Sequence, residues 1–293
     1  MRFAWGVWSE VEAHGMREAR GAHGARSAGQ YDVWAAGGAY ERYMGRWSRL
    51  VAERFVAWVG PAPGLRWLDV GCGTGALTSA VTTRCRPHLI VGVDRSWAFA
   101  EVAAAAMAPG SGATAVADAQ ALPFRDATFD AAAGGLVLNF LPEPAAALSE
   151  IVRTVRPGGL IGAYVWDYAE GMAFLRHFWD AASSVDPSAA PLDEGHRFPL
   201  CRPEPLRALW TDAGLDDVQV TPIEVPTHFG GFADLWEPFL AGQGPAAGYV
   251  AALHPESRDR VREALRTSLA TAPDGSIALT ARAWGVKGRA PER

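Results

Sequence analysis

The chain has 293 residues and a formal charge of -5, a length that holds one large domain or two small ones. Its basic residues are 26 arginines and a single lysine, Lys287, set in Val-Lys-Gly-Arg. Pyridoxal and Schiff-base enzymes, P-loop nucleotidases and protein kinases each need a lysine inside a specific motif, so those classes are excluded. The acidic balance argues against nucleic acid as a partner. Cys72, Cys85 and Cys201 are unevenly spaced, which indicates neither a disulfide framework nor a zinc site.

Residues 1–30 are rich in Gly, Ala, Arg and His without a sustained period and read as a flexible extension. Glu10 and Glu12 interrupt any apolar signal segment, and no apolar run reaches the ~18 residues of a membrane span, so a cytoplasmic location is expected. From Tyr40, apolar residues recur at three- and four-residue steps as far as Trp58, predicting an amphipathic helix that Pro61, Pro63 and Gly64 end. Strands at 66–70, 89–94, 114–118, 129–138 and 160–166 then alternate with helices at 76–85, 96–107 and 144–155. Such alternation predicts crossover connections and a doubly wound, mostly parallel α/β sheet of Rossmann-like type. Farther on, helices are expected at 172–182, 204–213, 232–240 and 255–269, and a loop at 183–200. Strands at 218–225 and 277–286 bring the sheet to seven. Residues 31–293 thus read as one domain.

The strongest local signal is Leu68-Asp69-Val70-Gly71-Cys72-Gly73-Thr74-Gly75, a strand that delivers alternate glycines directly into a helix. Glycine there admits positive φ and close approach of a ligand to the backbone. On its own the turn is ambiguous, because Gly71, Gly73 and Ala76 also satisfy the G-x-G-x-x-A fingerprint of dinucleotide folds. Asp94 closes the second strand nineteen residues after Gly75, where a carboxylate can accept both hydroxyls of a ribose. Asp118 stands at the end of the third, before Leu122-Pro123-Phe124. Acids at successive strand ends converge on one crevice at the carboxyl edge of the sheet.

Asp69 through Gly75, Gly92-Val93-Asp94, Asp118-Ala119-Gln120-Ala121-Leu122-Pro123-Phe124, Phe129-Asp130 and Arg156-Pro157-Gly158-Gly159, in that order and spacing, closely resemble the class I S-adenosylmethionine-dependent methyltransferases. The resemblance is strong over residues 31–166 and loose beyond. It implies S-adenosylmethionine as cofactor, with Asp69 and the turn residues Gly71, Cys72, Gly73 and Gly75 on the methionine moiety. It further places Asp94 and Arg95 at the ribose, Asp118 and Ala119 at the adenine, and Leu136 through Asn139 along the reactive end. In related enzymes the segment before the first strand folds over the cofactor, which would make residues 31–60 a lid closed by Tyr40 and Arg46. The alternatives are a nicotinamide-dependent oxidoreductase and a protein that holds the cofactor without transferring methyl. The first gives Asp69 and the Asp118-Ala119 pair no role.

Methyl transfer from a sulfonium needs alignment and exclusion of water more than a metal, and the seven histidines form no ligand pair. The expected partner is a small methyl acceptor. Asn139, the only asparagine, stands in Leu138-Asn139-Phe140-Leu141-Pro142, away from the Asn-Pro-Pro-Tyr pattern of adenine and glutamine methylation. In outline this stretch resembles the ubiquinone and menaquinone C-methyltransferases; otherwise Asn139 caps the turn before Pro142. Residues 167–200 and 226–272 are expected as cap insertions. Asn139, Trp166, Tyr168, Phe178, Trp179 and Phe198 would line an apolar or aromatic acceptor pocket, with His177 or His196 as base.

Overall fold

The structure, a computed structural model, describes residues 44–107, 110, 112–241 and 244–292. The expected extension at 1–30 and Tyr40 lie outside the described residues. Helix α1 (Arg46–Val59) precedes β1 (Arg66–Val70), α2 (Ala76–Cys85), β2 (Leu89–Asp94), α3 (Trp97–Ala106), β3 (Gly112–Val116), β4 (Phe129–Gly135), α4 (Pro144–Thr154) and β5 (Val155–Trp166). Beyond β5 come α5 (Ala173–Val185), α6 (Glu194–Arg197), α7 (Pro203–Asp212), β6 (Asp216–Phe229), α8 (Phe232–Trp236), α9 (Gly244–Ala252), α10 (Pro255–Ser268) and β7 (Ile277–Arg289).

The strands form one seven-stranded sheet in the order β3-β2-β1-β4-β5-β7-β6. The first five are parallel, and β7 runs antiparallel between β5 and β6. This is the doubly wound, mostly parallel sheet that the alternation predicts. Its central strands are near-continuous apolar runs because helices cover both faces; on one of them α1 buries Trp47, Val51, Phe55 and Val59 at helical spacing.

Several boundaries differ from expectation, each for a physical reason. Strand β4 ends at Gly135 rather than Leu138, because Leu136 adopts φ 60 and Leu138–Phe140 coil into a 3-10 turn. The third strand stops at Val116, leaving Asp118 two residues beyond it. Strand β5 begins at Val155, its Arg-Pro-Gly-Gly stretch accommodated by a register shift against β4. The segment 183–200, expected as a loop, is a chain of short helical turns: Pro187–Leu192, α6 and Pro199–Cys201. Prolines 187 and 199 open turns, where the missing N–H costs nothing, and Asp186 and Asp193 cap the amides of Ser188 and Gly195.

Strand β6 runs through Pro222 and Pro226 as far as Phe229. It lies at the sheet edge, where a proline need not donate to a neighbour. Residues 226–229 are therefore strand rather than cap. The two excursions from the sheet, 167–215 and 230–276, pack on each other through α5 and α10. Among the described residues no helix is long and apolar enough to cross a membrane.

Candidate functional site

The crevice lies where β1, β2 and β4 end. Gly71, Gly73 and Gly75 have φ of 70, 52 and 87. The amides of Gly71 and Cys72 both donate to the carbonyl of Val93, and that of Gly75 to Cys72. The Gly73 amide donates to Asp94 Oδ2 at 3.0 Å, while Ser96 donates to Asp94 Oδ1 at 2.8 Å. Two backbone amides therefore fix the Asp94 carboxylate, and lone pairs remain on both oxygens for other donors. The amides of Gly71, Cys72, Gly73 and Gly75 are thus engaged within the protein, which disfavours a dinucleotide, whose pyrophosphate needs free amides at this turn.

Two adjoining cavities share Gly71, Asp94, Val137 and Phe140 in their walls. The first, about 180 Å³, is predominantly apolar and adds Met44, Gly73, Phe99, Leu136, Trp166 and Tyr168. The second, about 230 Å³, adds Arg95, Asp118, Ala119, Leu141 and Pro142. Asp94 thus stands at the junction, with Asp118 and Ala119 on one side and the aromatic wall on the other. The Asp118 carboxylate accepts from the Gln120 amide at 2.9 Å, fixing its orientation.

Cys72 and Gly75 do not line either cavity. Cys72 is buried against Gly92, and Gly75 packs against Ala103 of α3, so both shape the turn from behind. Val137 is a wall residue as the resemblance implies, whereas Phe99, Phe140 and Gly135 are wall residues that sequence reasoning missed. Phe99 is legible from the sequence, standing one helical turn beyond Ser96, the cap of α3 that follows Asp94. The rest depend on the reversal at Leu136.

Asp69 also stays out of the cavity lining. Its carboxyl is buried beneath the turn, where Oδ2 accepts from Thr78 Oγ1 at 2.6 Å and Oδ1 has no partner. Burial, with a smaller contribution from the Asp94 charge, pushes its pKa up to about 7. The same burial, with both carboxylates, drives the Cys72 thiol far upward. The unpartnered carboxyl oxygen of Asp69 beneath the turn and the Asp94 carboxylate in the crevice fit a cationic group, as the ammonium of S-adenosylmethionine is.

This raised pKa fixes a sign. The folded chain holds the Asp69 proton more tightly than the unfolded chain, so stability falls as pH rises from about 4 to about 7 and then levels off. Asp69→Asn removes the cost while keeping an acceptor for Thr78. It is expected to stabilise the protein by about 1–3 kcal/mol more at pH 8 than at pH 5. Thermal melts at both pH values check this; an equal change at both would show that Asp69 does not titrate there.

Several residues expected at the site are placed elsewhere. His177 lies on the flank of α5, its Nδ1 3.2 Å from Ser268 Oγ of α10, and His196 is largely exposed beside the carbonyl of Ala190. Neither reaches the crevice as a base, because the apolar faces that bury their neighbours turn them away. Phe178 stacks on Phe239 at 4.4 Å, and Trp179 donates through Nε1 to the buried Glu194. Both are core of the excursions rather than pocket wall. Phe198 stands behind the wall, 5.4 Å from the Phe140 ring and 5.7 Å from that of Tyr168. Asn139 lines neither cavity, and its buried Nδ2 has no partner. Arg46 does not line the crevice; it pairs with Asp234 of α8 at 3.1 Å and lies over the Trp47 ring, tying α1 to the second excursion.

Residues 68–162 match the family model described as a methyltransferase domain. An uncharacterized protein of Mycobacterium tuberculosis, Rv1405c, is 31% identical over 161 residues, covering 48% of this chain and 56% of its own. A demethylmenaquinone methyltransferase of Renibacterium salmoninarum is 39% identical over 114 residues, covering 39% of this chain and 45% of its own. The chain thus spans about half the length of the curated relatives it matches. Among solved structures, phosphoethanolamine N-methyltransferase 2 of Haemonchus contortus with S-adenosyl-L-methionine superposes with a TM-score of 0.53 at 18% identity, covering 87% of this chain and 56% of that one. Residues 68–162 thus match a methyltransferase domain, and the fold around them is shared with a methyltransferase solved with S-adenosyl-L-methionine.

Proposed function

We propose that this protein transfers a methyl group from S-adenosylmethionine to a small apolar or aromatic acceptor. The observation that carries the reading is the rigidly held Asp94 carboxylate at the junction of two cavities, one flanked by Asp118 and Ala119 and the other walled by apolar rings. When bound, the cofactor would supply an electrophilic methyl on a sulfonium, which the acceptor nucleophile would take while the C–S bonding pair leaves on the sulfur of S-adenosylhomocysteine. In this reading Asp94 accepts the ribose hydroxyls, with Arg95 beside it. Asp118 and Ala119 border the adenine, and Asp69 with the glycine turn attracts the ammonium from beneath.

Leu136, Phe140, Trp166 and Tyr168 would seat the acceptor and exclude water, which otherwise competes for the methyl. The apolar wall and the relative named for a quinone methyl transfer support an aromatic acceptor. Residues 31–293 act as one domain in this proposal, with the excursions 167–215 and 230–276 as its acceptor cap.

The test is a calorimetric titration with S-adenosylmethionine, followed by incubation of cell extracts with labelled cofactor and identification of the labelled product by mass. Absence of binding to well-folded protein would overturn the cofactor assignment. Binding with no labelled product from any extract would point to a non-catalytic cofactor-binding protein.

A further inference from the structure

The segment that supplies Asp118 and Ala119 to the second cavity has no regular structure of its own, yet one side chain on α4 holds it. The guanidinium of Arg153 donates from Nη2 to the carbonyl of Leu122 at 3.1 Å and from Nη1 to that of Phe124 at 2.8 Å. The same group takes both oxygens of Glu150 at 2.8 Å through Nε and Nη2, and Asp126 at 2.8 Å through Nη1. Glu150 closes the circuit by accepting the amide of Leu122 at 2.8 Å. At the other end of the segment, Gln120 Oε1 accepts the amide of Glu143, next to the Leu141-Pro142 wall of that cavity. The segment is therefore pinned on both sides of Leu122 by groups that are not in the cavity.

A planar guanidinium bonded to two carbonyls and two carboxylates fixes backbone position more rigidly than a point charge would. Loop residues held this way lose their freedom before a ligand arrives, which reduces the ordering cost of binding. We propose that Arg153 and Glu150 are positioning residues for cofactor recognition, setting the Asp118-Ala119 edge of the crevice through the backbone of Leu122 and Phe124. The inference rests on the cofactor reading above. Asp126, exposed at the rim of the network, contributes only an outer ion pair.

The experiment measures S-adenosylmethionine affinity by calorimetry for the full chain and for Arg153→Met, Glu150→Gln and Asp126→Asn, with hydrogen exchange of residues 118–126 with and without cofactor. Wild-type binding comes first; its absence overturns the cofactor reading, and this inference with it. Arg153→Met is expected to raise Kd about tenfold and to weaken cofactor-induced protection of 118–126. Glu150→Gln should raise Kd about threefold and Asp126→Asn should leave it within twofold. An unchanged Kd in the folded fraction of Arg153→Met, with a lower melting temperature alone, would show a purely structural role and overturn the proposal. So would an equal rise for Asp126→Asn. If Arg153→Met does not fold, Glu150→Gln decides by the same criteria.

Discussion

Asp94→Ala is expected to lower affinity for S-adenosylmethionine about ten- to a hundredfold, because charge-assisted hydrogen bonds contribute about 1.5–3 kcal/mol. The carboxylate also anchors the Gly73 and Ser96 amides, so alanine removes a ligand contact and loosens the turn together. Asp94→Asn separates the two effects. The amide side chain keeps one acceptor oxygen for a backbone donor but loses the charge and half the acceptor capacity toward a diol. Calorimetric Kd values and melts for both variants check the assignment. If affinity holds in a folded Asp94→Ala protein, the cofactor binds elsewhere.

Gly71→Ala should cost the most in stability of any single methyl addition around the turn. Its φ of 70 is in the left-handed region, and an added Cβ would stand 2.4 Å from Cγ2 and 2.7 Å from Cβ of Val137. Conformational strain of about 1–2 kcal/mol and overpacking of about 1–3 kcal/mol act together. For a chain of this size that corresponds to a fall in Tm of about 3–8 °C. Gly64→Ala is the matched control, because Gly64 also has positive φ, 78, but nothing within 4 Å of an added Cβ. It should show the conformational cost alone. A Gly71→Ala protein no less stable than the Gly64→Ala protein would mean that Val137 yields freely, and with it the wall both cavities share.

Most of the sheet was legible because its information is local. The apolar runs 66–70 and 89–94, the glycines between β1 and α2, and Asp94 all follow from period, turn chemistry and spacing. The convergence of Asp94, Asp118 and Ala119 follows from the rule that ligands sit at the carboxyl ends of parallel strands. The acceptor side was not legible to the same degree. Phe178 and Trp179 are aromatic and stand near Trp166 in sequence, but only the packing of α5 against Phe239, Tyr249 and Glu194 decides that they face inward, away from the crevice. The backbone reversal at Leu136, which brings Val137 and Phe140 into the wall, leaves no trace in composition. Proline misled twice, at 187–200 and at Pro226. Its consequence depends on whether the position opens a helical turn or lies on an outer strand, and pattern alone does not say which.

The paired strands β6 and β7 have a consequence for recombination. Twelve residue pairs join them in an antiparallel ribbon from Asp216–Arg289 to Phe229–Ile277, and everything from 230 to 276 is carried on its far end. A splice at Phe229 and Ile277 leaves the parallel strands and the cofactor crevice covalently untouched. Because α10 leans on α5, the interchangeable module is the second excursion together with 167–215 rather than either alone. A chimera carrying both from a relative is expected to keep its affinity for S-adenosylmethionine while adopting the donor's acceptor preference, whereas one carrying only 230–276 should fold poorly. A modular origin of acceptor choice in this protein would then be a property of its last two strands.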